Sequence, residues 1–199
     1  MRQQGKARII SENEIKRVIQ FQKNAKHGSR NICLVHFSFY LGLRAKELAE
    51  LLVKDVIFPD GNLKKEILLT REMTKGAKQR TVFLTNPKVV SVLSSYLNER
   101  KENDQWFDLD SPLFRSQKNQ RFTAQTICML FRKIYDDVGL SDCSSHSGRR
   151  TFATALLNNG INIRNVQTLL GHSSITTTAI YIDTNPKMLG DISRNLKIS

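Results

Sequence analysis

Four separated stretches of the sequence carry cations, imidazoles and a phenol. They are Gly42-Leu43-Arg44-Ala45-Lys46-Glu47-Leu48, Lys75-Gly76-Ala77-Lys78, His146-Ser147-Gly148-Arg149, and Leu170-Gly171-His172 with Tyr181 nine residues further on. These groups suit chemistry on a phosphodiester. Guanidiniums clamp phosphate oxygens with planar, bidentate hydrogen bonds and stay charged at any working pH. Lysine and histidine can pass protons. A tyrosine hydroxyl can attack and form a covalent ester. Charge stabilisation by Arg, Lys and His requires no metal, and the sequence has no clustered Asp/Glu triad of the two-metal nuclease type. Singly, each residue also has a structural use. Arg44 could end a helix at the surface, His146 and His172 could be hydrogen-bonded structural imidazoles, and Tyr181 could be a core ring between Ile180 and Ile182. Glu47 is read as structural, holding the helix that carries Arg44, and Trp106 as packing; His27 and His36 receive no role.

The chain around these stretches is basic. Its 199 residues hold 31 Lys and Arg against 18 Asp and Glu, a net charge of +13 that favours polyanionic partners, nucleic acid first. The charge is uneven. Between Asp110 and Asp136 there is no carboxylate, but there are Arg115, Lys118, Arg121, Arg132 and Lys133. Between Asp142 and Asp183 there is again none, with Arg149, Arg150 and Arg164 present. A surface that meets phosphates keeps Asp and Glu away. The hydrophobic share of 40% supports a folded core, and no apolar run reaches the length of a membrane span. Residues 1–8 are polar and basic, without the apolar core of a signal peptide. Cys33, Cys128 and Cys143 form no CxxC pair, which points to a reduced, cytoplasmic setting.

Helices must position most of the candidate groups. Ser11 with Glu14 reads as a capping box opening a helix to about residue 21. An apolar helix is expected over 31–40, then Gly42 in a turn, then a helix over 45–52. Residues 56–58, 67–69 and 81–84 are β-like and predict a three-run antiparallel sheet with a basic hairpin at 75–78. Asn86-Pro87 opens a helix to about 100, and Thr123 caps one ending near Gly139. Further helices are expected from 144–145 to Gly160, over 162–170, over 174–182, and over about 186–196 with Leu189, Ile192 and Leu196 on one face. The fold class is α+β, mainly α-helical, with a small antiparallel β-sheet.

The order of the motifs, with Thr151-Phe152-Ala153-Thr154 after the second arginine and Leu169-Leu170-Gly171-His172 before the tyrosine, resembles the catalytic domain of the tyrosine recombinase (phage integrase) family from about residue 10 to 182. The resemblance implies a basic N-terminal arm at 1–10, a catalytic domain at 11–185, and a C-terminal helix at 186–199 that docks in trans. It implies a site-specific DNA recombinase in which Arg44 and Arg149 clamp the phosphate, Lys75 protonates the leaving 5′ oxygen, and His146 exchanges a proton with the nucleophile. His172 donates to a phosphate oxygen, and Tyr181 forms a 3′-phosphotyrosyl link. Lys75 and Lys78 compete for the acid role, and the hairpin tip of the family favours Lys75. Expected DNA contacts are Lys78, Arg80, Arg115, Lys118, Arg121 and Arg150. No cofactor is implied. The implied partner is double-stranded DNA, bound as a homotetramer with a monomer when free, in a bacterial or phage-derived cytoplasmic, nucleoid-associated setting. The same chemistry serves topoisomerase-like relaxation, and a non-catalytic basic DNA-binding module is the alternative from another class. The sequence departs from the family at Gly148, often Leu, and at Arg150, often His. It also starts almost at the catalytic domain, as a fragment of a longer integrase or a short member such as the fimbrial phase-switch invertases would.

Overall fold

Local caps set most element boundaries. Ser11 Oγ accepts from the Glu14 amide while the Glu14 carboxylate takes the Ser11 amide, and α1 (Glu12–Gln22) starts there. The computed structural model describes residues 7–74, 78–117 and 120–181. Helix α2 (Gly28–Leu41) is apolar on nearly every face. Cys33, Leu34, Val35, Phe37, Phe39 and Leu41 are all buried, because α1, α4 (Pro87–Asn103) and α6 (Ser147–Asn158) surround the helix. Each such side chain taken from water contributes about 1.5–3 kcal/mol. Ser38 and His36 are buried on the same helix, and His36 Nδ1 lies 2.8 Å from the Ile32 carbonyl oxygen, a structural bond.

Gly42 ends α2 in the left-handed region, at φ 62°. A β-carbon there would also stand 2.6 Å from Phe152 Cδ1, so a glycine is required twice over. The turn it makes delivers Arg44 to the start of α3 (Ala45–Glu50), which packs on α5 (Ala124–Asp136), a helix that buries Ile127, Phe131, Ile134 and Tyr135.

The sheet has two strands, β1 (Glu66–Leu69) and β2 (Arg80–Phe83), antiparallel with Ile67 opposite Val82. This corrects the three-run expectation. Residues 56–58 form only an isolated bridge, Ile57 to Leu63, because the turn at 59–62 returns the chain at once, with the Phe58 amide donating to Asn62 O at 2.8 Å. The inner face of the sheet buries Ile67, Leu69 and Val82, while Leu68 and Phe83 stay about half exposed. Lys75, expected at a hairpin tip, lies outside the described residues, as does Lys118.

Asn86 caps α4 (Pro87–Asn103), whose last turn runs beyond the expected end. The reason is Arg100. It is buried and donates to Pro112 O and Leu113 O, and its ion pair with Asp104 extends the helix past it. Tyr96, Phe114 and Phe37 meet beside it as a stacked and an edge-on ring pair. Helix α6 (Ser147–Asn158) starts later than expected, since Ser147 Oγ accepts from the Ser144 amide and 144–146 form a turn. Then come α7 (Ile163–Leu170) and the short α8 (Ile175–Ala179), followed by a turn at Ile180 and Tyr181. The helix expected at 186–199 lies outside the described residues.

Residues 7–10 of the expected basic arm are packed into the domain. Ile10 is buried with its amide donating to Thr151 Oγ1 at 3.0 Å, and Arg8 pairs with Glu14 and Asp142. Trp106, expected in packing, is 60 % exposed. Among the described residues no helix is long and apolar enough to cross a membrane.

Candidate active site

Arg44, Arg149, His146, His172 and Tyr181 line one open cleft of about 560 Å³, with Lys78 and Arg150 also on its wall. Four elements deliver them: the Gly42 turn and α3, the N-terminus of α6, the turn after α7, and the end of α8.

Glu47 organises the arginines. Its carboxylate has no solvent exposure. Oε2 accepts from the Arg44 amide at 2.7 Å and from Arg80 Nη2 at 2.7 Å, while Oε1 accepts from Arg44 Nη1 at 2.9 Å. Arg149 Nη1 stands 4.0 Å from the same Oε2. Burial alone would raise the Glu47 carboxyl. The charges of Arg80 and Arg149 and the Arg44 amide outweigh that and hold it below the ordinary carboxylate value, so it is ionised. Three guanidiniums against one carboxylate leave two positive charges at the cleft. Glu47 thus does more than hold the Arg44 helix. Its spacing from Arg44, three residues along one helix, made that part readable, whereas its bond to Arg80 crosses 33 residues of chain.

Arg149 is aimed by backbone. Its Nη1 donates to Gly42 O at 2.6 Å and its Nη2 to Leu170 O. Burial, then the nearby charge of Arg44, lowers its pKa to about 9 against the opposing pull of Glu47, which leaves it charged at neutral pH. Both carbonyls sit at helix C-termini, where the last carbonyls lack partners within the helix. Gly148, the family departure, is what lets α6 lie this close to α2. A β-carbon there would stand 2.3 Å from Ser38 Oγ.

His172 Nδ1 is 2.8 Å from Thr178 Oγ1, a fully buried hydroxyl. Burial, with Arg149 and Arg44 next, pushes the imidazole down to about 4, so it is neutral near pH 7. When Thr178 donates to Nδ1, the ring carries its proton on Nε2 and has a hydrogen-bond donor to offer. Tyr181 stacks on His172 with ring centroids 5.9 Å apart and packs against the small cluster of Ala153, Val166 and Leu170. His146 is exposed on the cleft wall, its amide donating to Ser144 Oγ at 3.3 Å.

The expected DNA contacts divide. Lys78 is exposed at the cleft. Arg121 is exposed and pairs with Glu50 at 2.7 Å, a surface pair worth about 0–1 kcal/mol that phosphate can replace. Arg150 also reaches the cleft, but its Nη1 donates to Ala7 O at 2.7 Å. Arg80 and Arg115 are paired inside the protein. Arg80 has a 5 % exposed side chain locked to Glu47 and to Leu169 O, so it is an internal ion-pair member. Arg115 has a 14 % exposed side chain that pairs with Asp104 and donates to Trp106 O, far along the chain from the cleft residues, and it braces a loop. Among the described residues no group of three or more His, Cys, Asp or Glu converges as a metal site.

The tyrosine recombinase XerA of Pyrococcus horikoshii is 29% identical over 95% of this chain and 61% of its own length. XerD of Oceanobacillus iheyensis is 30% identical over 92% of this chain and 60% of its own. The chain therefore spans about three fifths of these relatives. The crystal structure of a XerA recombinase superposes with a TM-score of 0.74 at 30% identity, covering 96% of this chain and 66% of that one. XerH bound to its difH substrate before cleavage gives 0.69 at 26% identity, covering 96% and 55%. The sequence profile of the phage integrase family matches residues 8–188, nearly the whole chain, and the chain belongs to that family.

Proposed function

We propose that this domain cuts and rejoins DNA as a site-specific recombinase. The observation that carries the reading is the convergence of Arg44, Arg149, His172 and Tyr181 on one cleft with two surplus positive charges. A phosphodiester carries one negative charge, and its pentacoordinate transition state carries about two. A fixed surplus of that size favours the transition state over the ground state.

Tyr181 Oη attacks phosphorus. The new tyrosyl O–P bond forms as the bond to the 5′ oxygen breaks, leaving the 3′ phosphate on the protein. The phenolic proton passes to His146, and the 5′ oxygen takes a proton from Lys75. Arg44, Arg149 and His172 hold the non-bridging oxygens. Attack by a 5′ hydroxyl reverses the steps, so rejoining draws on the energy of the phosphotyrosyl ester. DNA lies against Lys78, Arg121, Arg150 and Lys118, and the active assembly is a homotetramer on DNA, with 186–199 of one protomer docked on the next. Recombination is preferred to relaxation because the relatives are recombinases and one neighbour is a site-specific recombinase bound to its difH substrate before cleavage.

The experiment is covalent capture on a nicked suicide duplex. The native domain should give a protein–DNA adduct through Tyr181, and Tyr181→Phe should give none while binding DNA as well as before. An adduct with the Phe variant would overturn the assignment; no adduct with the native domain would favour a binding module.

A further inference from the structure

We infer that Arg80 is a positioning residue: it serves as the dedicated counterion of Glu47 and so keeps Arg149 available to the phosphate. The inference rests on the reaction proposed above. Arg80 Nη2 and Arg149 Nη1 face the same atom, Glu47 Oε2, at 2.7 and 4.0 Å. Arg80 holds the hydrogen bond. Arg149 is left to two neutral carbonyls, Gly42 O and Leu170 O, which orient its guanidinium without spending its charge.

The path of Arg80 is built for this. From the first residue of β2 its side chain passes Gly171 so closely that a β-carbon there would stand 2.6 Å from Arg80 Cδ. Its Nη1 then donates to Leu169 O, the carbonyl next to the one that holds Arg149. Without Arg80, the buried Glu47 carboxylate would face only Arg44 and Arg149. A shift of about 1 Å would bring Arg149 into hydrogen-bond range of Oε2. Arg149 would leave its carbonyls, and the surplus at the cleft would fall from two charges to one.

The test compares Arg80→Gln, Arg80→Lys, Glu47→Gln and the double R80Q/E47Q with the native domain in single-turnover cleavage, alongside DNA affinity over a salt series. A covalent adduct with the native domain is the control for the reaction itself; its absence sinks the functional reading and leaves the counterion role to the crystal structure described below. For R80Q, cleavage should fall about 100-fold, the range seen when one charge-stabilising donor is lost. Its log affinity against log salt should keep the native slope, since a lost phosphate contact would flatten the slope by about one. A 5′-bridging phosphorothiolate should not rescue it, whereas it should rescue Lys75→Ala. The double variant should cleave no worse than E47Q alone, because Arg80 acts through Glu47. R80K, which keeps the charge, should recover at least tenfold over R80Q. A crystal structure of R80Q should show Arg149 hydrogen-bonded to Glu47.

Cleavage by R80Q within threefold of native, a flatter salt slope, thiolate rescue, defects that multiply in the double variant, or Arg149 still on its carbonyls would each overturn the inference. If R80Q does not fold, R80K decides. Cleavage within tenfold of native supports the counterion role, and a larger loss overturns it.

Discussion

Replacing Gly42 by Ala separates two costs that the structure places at one residue. The first is conformational. At φ 62° an L side chain costs about 1–2 kcal/mol. The second is steric. The new methyl would stand 2.6 Å from Phe152 Cδ1 and 3.1 Å from Leu170 Cδ2, and forced overpacking of this kind costs about 1–3 kcal/mol. Ala also narrows the unfolded ensemble, which returns about 0.4–1 kcal/mol. The net destabilisation is about 1–5 kcal/mol, which at about 3 °C per kcal/mol is a fall in Tm of roughly 3–15 °C for a domain of this size. Gly160 supplies the control. It too has a positive φ, 76°, but nothing lies within 4 Å of a β-carbon there, so Gly160→Ala should cost only about 1 kcal/mol. Urea unfolding of both variants measures the difference. In the background of G42A, Phe152→Leu should recover part of the steric loss. Because Gly42 O holds Arg149, cleavage by G42A should also fall further than DNA binding does. Equal midpoints for G42A and G160A, or no effect of Phe152→Leu, would refute the close contact.

DNA affinity should fall steeply with salt. If about six phosphates are neutralised, log affinity against log salt should have a slope of roughly −5 on duplex DNA, and a flat response would show that the +13 charge does not mark a DNA surface. His172 should make the domain acid-sensitive. Its folded pKa of about 4 lies below its unfolded value near 6.5, so its contribution is complete above pH 6.5 and is lost as the pH falls toward 4. Allowing for solvent screening of a half-exposed ring, native stability should drop by about 1 kcal/mol more than that of His172→Gln between pH 7 and pH 5. Parallel urea midpoints for the two proteins would remove His172 from the account.

Elements whose ends are set by neighbouring residues were readable from the chain. The Ser11–Glu14 box, Asn86-Pro87 and Thr123 each act within three residues, and each starts a helix where expected. Gly42 and Gly171 were readable as stops for the same reason. The third strand was not. Three apolar residues beside a turn satisfy the local pattern of a strand, but pairing is decided by what the rest of the chain brings alongside, and here that is a single bridge. Likewise α4 runs past residue 100 because Arg100 finds the carbonyls of 112 and 113, a contact no local pattern encodes.

The carboxylate-free windows show the same limit in electrostatics. They contain Arg149 and Arg150, which line the cleft, and the exposed Arg121. A window in sequence says nothing about charges that fold in from outside it. Asp104 reaches Arg115, and Glu50 reaches Arg121. Arg80 lies outside both windows, and the carboxylate that reaches it is Glu47. For an arginine in a basic protein the deciding quantity is therefore the exposure of its counterion. Glu50 is 36 % exposed and solvated, so its pair with Arg121 is weak and phosphate can compete. Glu47 has no exposure at all. Releasing Arg80 from it would leave a buried carboxylate with Arg44 alone in hydrogen-bond range and Arg149 next to it, a loss that one exposed phosphate contact does not recover. Two arginines of equal charge thus have opposite uses. Arg121 can exchange its carboxylate for DNA, and Arg80 must keep its own so that Arg149 need not.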